Sequence, residues 1–255
     1  MRMTVIGASG SYPGPESPAS CYLLEAEHEG RTWRILMDLG NGALGVLQRY
    51  VDPLAIDGVL ISHLHADHCL DLCGYYVLRK YHPMGHQARI PVWGPGDTPA
   101  RMARAYDLEE DPGMTEEFDF KSFADSPGRP FTLGPFSITA REVLHPVTAY
   151  GIRVEVDGRS LAYSGDTGAC DALDLAARDA DVFLCEASFI EDAPNPPDLH
   201  LTGREAGQTA TRAGARRLLL THIPPWHDAK VPLAEAREVY AGPLELATPG
   251  KTYEI

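Results

Sequence analysis

Short apolar segments separated by Gly, Pro and polar turns fill the first third of the chain. Period-two alternation and apolar runs predict strands at 2–7, 21–26, 33–37, 58–62 and 90–93. Two other stretches, 42–50 and 70–81, place apolar residues at helical spacing and stop before a proline, so they predict helices.

A second group of strands follows after residue 135. The pattern predicts strands at 136–143, 150–156, 160–163, 182–185 and 217–221, with helices near 171–178 and 202–213. Asp157-Gly158 is a strong two-residue hairpin signal. Between the two groups, residues 96–130 are acidic and rich in Pro, Gly and Asp, with a helical piece at 98–106, and this composition fits either a lid or a peripheral cap.

Two strand-rich halves, each with its own helices, predict two sheets packed face to face and covered by helices on the outside. No repeat, low-complexity tract or linker divides the 255 residues, so we expect one α/β (α+β) domain over 1–255.

Composition narrows the class of partner. A formal charge of −14 disfavours long nucleic acids, which are recognised through basic surfaces. No apolar run approaches a membrane span and the amino terminus lacks a signal-peptide plan, so we expect a cytoplasmic protein without a membrane partner. The five cysteines are odd in number and scattered along the chain, which indicates reduced thiols and no disulfide framework.

The stretch from His63 to His68 carries the strongest chemical signal. His63, His65, Asp67 and His68 lie within six positions, directly after an apolar strand. Alternate residues of an extended segment point the same way, so His63 and His65 can face one cation while Asp67 and His68 turn toward another. Such a cluster predicts a metal site. A lone histidine would more often be a core or surface residue, but three histidines and an aspartate packed together would repel protons and one another without a cation.

This His-x-His-x-Asp-His run resembles the signature of the metallo-β-lactamase superfamily, and the resemblance spans nearly the whole chain. It implies a four-layer αββα sandwich of two mixed β-sheets with helices on both outer faces. It also implies one metal on His63, His65 and His145, a second on Asp67, His68 and His222, and a bridge at Asp166.

Imidazole and carboxylate ligands without a thiolate suit Zn²⁺, although Mn²⁺ or Fe would accept the same set. Two such ions, about 3.5 to 4 Å apart, can hold a bridging hydroxide at neutral pH as the nucleophile. The expected activity is therefore metal-dependent hydrolysis, with Asp67 as a catalytic as well as a ligating residue.

Two further motifs favour one branch of the superfamily. Cys185-Glu186-Ala187-Ser188 and His200-Leu201-Thr202 are similar to the paired motifs of ribonuclease Z and its phosphodiesterase relatives, in which the glutamate orients a histidine that protonates the leaving oxygen. For Glu186 the alternative is a capping or ion-pairing role, and for His200 a loop residue. The Gly7 to Ser11 loop and the short HLT segment look like the actinobacterial cyclic-nucleotide phosphodiesterases of this fold.

Other substrates stay open. A ribonuclease Z-type endonuclease would need a long transfer-RNA-binding arm, and the single hairpin between His145 and Asp166 leaves no room for it. A glyoxalase-II-like thioesterase or lactonase would keep the metals but usually adds a helical segment after the last ligand. A non-catalytic binding protein of the same fold is disfavoured because all seven ligands are present. The expected partner is a small phosphodiester, and relatives imply a homodimer.

Overall fold

The amino-terminal half of the chain forms a seven-stranded mixed sheet, and the carboxyl terminus adds one of its two edge strands. The computed structural model describes all 255 residues, and this sheet has the order β14-β1-β2-β3-β4-β5-β6. Its strands are β1 (Arg2–Gly7), β2 (Cys21–His28), β3 (Arg31–Met37), β4 (Gly58–Leu60), β5 (Ile90–Gly94), β6 (Phe118–Ser122) and β14 (Thr252–Glu254).

The second sheet repeats this plan, with antiparallel strands first and parallel strands after them. It has the order β13-β12-β11-β10-β9-β8-β7, and the pairs among β10, β11, β12 and β13 are parallel. Its strands are β7 (Phe131–Leu133), β8 (Phe136–Val143), β9 (Ala149–Val156), β10 (Arg159–Tyr163), β11 (Val182–Glu186), β12 (Leu218–Thr221) and β13 (Leu244–Leu246).

Helices cover the outer face of each sheet. The first sheet is covered by α1 (Ala43–Leu47), α2 (Ala66–Cys69), α3 (Leu72–Tyr81) and α4 (Thr98–Ala105). The second is covered by α5 (Asp171–Ala177), α6 (Gly203–Ala213) and α7 (Lys230–Val239). A central cluster of 23 buried residues joins the inner faces of the two sheets. The four-layer αββα sandwich of two mixed sheets is therefore confirmed.

The burial pattern of each strand matches the apolar pattern of its sequence. β8 alternates buried and less buried positions, as a strand with one core face does, whereas the central strands β11 and β12 are buried at every position. Helix α6 begins at a capping box between Thr202 and Glu205 and ends at Gly214 in the left-handed conformation.

Several elements differ from the pattern-based expectation. The predicted strand at 58–62 ends at Leu60, and the predicted helix at 42–50 is limited to Ala43–Leu47. The sequence analysis also missed helix α7, the edge strand β6 and the strands β7, β13 and β14. The last three have only three residues each, which is too few for a detectable period.

The acidic stretch 96–130 is largely part of the scaffold. It supplies α4 and the edge strand β6, which pairs in parallel with β5. Phe118 and Phe123 from this stretch are buried in the two hydrophobic clusters of the first sheet and of the central layer. These anchors tie the stretch to the sheet.

The longest helix, α6, has 11 residues, and none of the helices combines the length and apolar character needed to cross a bilayer.

Candidate metal centre

The seven predicted ligands come from four separate strand ends. The His63 to His68 run follows β4, His145 follows β8, Asp166 follows β10 and His222 follows β12. The structure brings all seven into two adjoining groups of possible ligand atoms, each group within 4.8 Å, and Asp166 belongs to both. Reactive side chains thus sit on loops at the rim of rigid sheets.

The first group contains three imidazoles that converge on one point. His65 Nδ1 lies 3.1 Å from His63 Nε2 and 3.3 Å from His145 Nε2. Nitrogens bound to one tetrahedral Zn²⁺ at about 2.0 to 2.1 Å would be about 3.3 Å apart, so these contacts fit a shared cation. Burial lowers the pKa of all three histidines, which keeps the rings neutral and able to ligate.

The second group is deeper and more acidic. His222 Nε2 lies 3.1 Å from His68 Nε2 and 3.0 Å from Asp67 Oδ2. Asp67, His68 and His222 are all buried. The charges and hydrogen bonds of His68 and His222 outweigh the burial of Asp67 and hold the pKa of its carboxyl far below the ordinary range, so the carboxylate is ionised.

Asp166 joins the two groups. Its Oδ1 lies 3.2 Å from His68 Nε2 and its Oδ2 lies 3.6 Å from His63 Nε2, so one oxygen faces each group. Asp166 is 1% exposed, and Oδ1 has no hydrogen-bond partner. A buried carboxylate oxygen left without a partner is costly, and a divalent cation in each group would satisfy it.

The charge balance also favours bound cations. Histidines are the only potentially cationic side chains near the buried carboxylates of Asp38, Asp67 and Asp166, since no Lys or Arg side chain forms an ion pair with them. Buried anions without compensating charge are unstable. The residues present therefore fit two metal ions.

Asp38, which the sequence analysis does not predict as a site residue, contacts a predicted metal ligand. It is fully buried, and its Oδ2 accepts from His68 Nδ1 at 2.7 Å and from Tyr163 at 2.7 Å. Such a contact fixes the ring so that Nε2 faces the ligand cluster. The available signal was a lone aspartate ending the apolar strand β3, followed by Leu39-Gly40.

The predicted catalytic pair is assembled at the edge of the clusters. His200 Nδ1 lies 3.0 Å from Glu186 Oε1 and 3.9 Å from Asp166 Oδ2. Burial lowers the pKa of His200, but the charge of Glu186 and its hydrogen bond dominate and raise that pKa to about 9. Bound divalent cations would oppose this rise by their own positive charge.

Glu186 serves more than one neighbour. Its fully buried carboxylate accepts from the Thr167 backbone N–H at 2.7 Å and from Ser188 Oγ at 2.8 Å. Ser188 Oγ lies 2.8 Å from His222 Nδ1. The glutamate is thus connected to a predicted metal ligand and to His200 together, which the capping alternative did not anticipate.

An open cavity of about 430 Å³ lies beside His200. Its walls include Gly168, Phe189, Asn195 and Asp198. The Phe189 ring stands edge-on to His200 with centroids 5.0 Å apart. The cavity gives a substrate room next to the imidazole.

Comparisons with known proteins agree with this geometry. A family model described as the beta-lactamase superfamily domain matches residues 33–223. The chain is 48% identical to protein Rv1339 of Mycobacterium tuberculosis over 100% of this chain and 92% of that protein. It is 30% identical to ribonuclease Z of Myxococcus xanthus, over 100% of this chain and 98% of that enzyme.

The crystal structure of the metallo-beta-lactamase fold protein YhfI from Bacillus subtilis superposes with a TM-score of 0.86 at 28% identity, covering 100% of this chain and 99% of that one. The predicted resemblance is confirmed. Matches of this extent place the chain in the beta-lactamase superfamily, among its metallo-hydrolases.

Proposed function

We propose that the chain is a binuclear, zinc-dependent phosphodiesterase acting on a small phosphodiester such as a cyclic nucleotide. The observation that carries the proposal is the His200–Glu186 pair, 3.0 Å apart, at the edge of two ligand clusters that share Asp166. A positioned proton donor at this place fits a substrate whose leaving oxygen must be protonated, as the ribose oxygen of a phosphodiester must. A hydrolase with a good leaving group would not need one.

The residues would hold the metals as follows. His63, His65 and His145 would bind one ion, Asp67, His68 and His222 the other, and Asp166 would contribute one oxygen to each. When bound, two divalent ions supply an activated water and positive charge for the phosphate oxygens. Asp67 would act in this scheme as a carboxylate ligand of the deeper ion and, through it, in activating the attacking water.

His200 would protonate the leaving group, and Glu186 would orient His200. Glu186 accepts the Nδ1 proton of His200, which fixes the ring and directs Nε2 away from the carboxylate. The imidazolium can then give its Nε2 proton to the departing ribose oxygen as the P–O bond breaks. The cavity beside His200 is the space that this group would occupy.

A second candidate function is RNA cleavage, because ribonuclease Z of Myxococcus xanthus is 30% identical. Two features favour the smaller substrate. The β9–β10 hairpin closes through Asp157-Gly158 alone, so no arm emerges between His145 and Asp166. The net charge of −14 also opposes the binding of a polyanion.

The direct test is turnover by the metal-loaded protein on cyclic AMP, bis(p-nitrophenyl) phosphate, a precursor transfer RNA and a thioester, with elemental analysis of the same sample. We expect hydrolysis of both phosphodiesters and loss with chelator. Cleavage of the thioester alone would contradict the proposal and favour the thioesterase alternative. Cleavage of the RNA alone would favour the nuclease.

His200→Ala tests the role of the imidazole. We expect cyclic AMP turnover to fall about 10²- to 10⁴-fold, because a poor leaving group depends on general acid catalysis. The loss on bis(p-nitrophenyl) phosphate should be much smaller, since p-nitrophenolate leaves without a proton. His28→Ala removes an exposed histidine and serves as the control. An equal loss on both substrates would show that His200 acts only as support.

A further inference from the structure

Two large aromatic side chains lie exposed on neighbouring loops. Tyr12 is 44% exposed and Trp226 is 59% exposed, and their rings form a tilted pair with centroids 5.4 Å apart at 32°. Exposed aromatic pairs of this kind lose the benefit of burial and often mark a site where a ligand covers them.

The pair borders the deeper ligand cluster. Ser11, which precedes Tyr12, points its backbone N–H at His222 Nε2 from 3.4 Å. Trp226 follows His222 by only four positions. The two loops are joined where Gly10 donates a backbone hydrogen bond to Ile223 at 3.2 Å. The loops that carry the aromatic pair are therefore attached beside His222, on the flank of the deeper ligand cluster.

Prolines and a backbone turn restrict the loops that carry the two rings before any ligand binds. Pro224-Pro225 directly precedes Trp226, and Pro13 directly follows Tyr12. Proline restricts the backbone, and the turn is closed by a hydrogen bond of 2.9 Å from the His227 N–H to the Pro224 carbonyl. Pre-organised rings lose little conformational entropy when they bind.

The chemistry of the two loops selects the kind of ligand group. Residues 9–17 and 223–229 contain no Lys or Arg, so this rim offers flat aromatic faces, and its ionisable side chains other than Tyr12 are Glu16, His227 and Asp228. A nucleobase has a π face that stacks on Tyr or Trp without requiring charge. The phosphate would be bound by the metals and the base by the rings.

We infer that Tyr12 and Trp226 form a stacking platform that binds the nucleobase of the substrate. This inference rests on the proposed function and deepens it, because it restricts the small phosphodiester to a nucleotide. Alkyl phosphodiesters without a base would lack this contact.

Steady-state kinetics on cyclic AMP with the metal-loaded full chain tests the platform. Trp226→Ala should raise KM about tenfold and leave kcat nearly unchanged, since stacking binds the ground state and transition state alike. Trp226→Phe should restore most of the affinity. Tyr81→Ala, which removes a tyrosine that is 66% exposed at the end of α3, is the matched control.

An unchanged KM in both Trp226→Ala and Tyr12→Ala would overturn the inference. Sedimentation of the same variants is the second readout. If the protein is a dimer and the variants become monomers with the same rise in KM, the inference would also be overturned, because the rings would then belong to a contact between two copies.

A binding measurement separates the platform from catalysis. Trp33 packs under Arg31 and Trp93 stacks on Phe131, so Trp226 is the tryptophan open to ligand. AMP should quench the fluorescence of the metal-loaded protein, ribose 5-phosphate should not, and Trp226→Phe should abolish the response. Quenching without turnover would contradict the proposed phosphodiesterase function and support the stacking platform. The lack of quenching by AMP would contradict the platform itself.

Discussion

The two ligand clusters of this protein differ in how deeply they are set. The group of His63, His65 and His145 is partly open, since His65 and His145 reach solvent. The group of Asp67, His68 and His222 is buried throughout. Solvent therefore reaches the three-imidazole side directly, while the mixed cluster is built into the core beside the loops that carry Tyr12 and Trp226.

Their supporting contacts differ as well. In the open cluster, His145 Nδ1 donates to the Leu199 backbone carbonyl at 2.9 Å. In the buried cluster, His68 is held by the charged side chain of Asp38 and His222 contacts Ser188. A carboxylate partner makes an imidazole a stronger ligand than a carbonyl does. We expect the buried cluster to bind its metal more tightly and to depend more on side chains around it.

Removing the shared carboxylate of Asp166 should weaken metal binding at both clusters. Asp166→Ala takes one oxygen from each group, so we expect metal content to fall at both and phosphodiester turnover to drop to background. Elemental analysis and the bis(p-nitrophenyl) phosphate assay measure the two effects. Asp119→Ala, at an exposed carboxylate of β6, is the control. Full metal content in Asp166→Ala would contradict the bridging role.

Asp38→Asn should affect the buried cluster much more than the open one, because Asp38 contacts His68 directly and reaches His63 only through Ser62. The change removes the negative charge that His68 contacts while nearly preserving shape, so the buried cluster should bind metal about 10- to 100-fold more weakly. Competition with a chelating dye reports the affinity of each site.

The matched control is Asp57→Asn. Asp57 accepts a backbone N–H from Arg34, as Asp38 does from Ser62, but it lies away from the ligands. Equal weakening of both sites by Asp38→Asn would contradict the separation of the clusters.

Ser188→Ala should have the smallest effect. It breaks the link between His222 and Glu186, and the loss of one such hydrogen bond costs about 1 kcal/mol, or about fivefold in metal affinity or turnover. Ser188→Thr, which keeps the hydroxyl, should recover most of the loss. A larger effect on the three-imidazole site than on the buried one would reverse the assignment of Ser188.

Much of the site was predictable because its residues carry strong local signals. The His63 to His68 run is dense in ligand types, and His145, Asp166 and His222 each follow an apolar strand. Glu186 and His200 were found through motif resemblance, and the structure brings them within 3.0 Å. Asp38 was missed because one aspartate after a strand has no periodicity and no neighbouring ligand type.

The chain by itself determined the two strand-rich halves, the identity of the ligand types and the acidic surface, because period, composition and short motifs are properties of neighbouring residues. Only the tertiary structure decided that β14 joins the first sheet, that Asp38 supports His68 and that Tyr12 lies beside Trp226. These contacts join residues far apart in sequence. They form because two sheets bury a common core, and the packing of that core sets which loops meet at the rim.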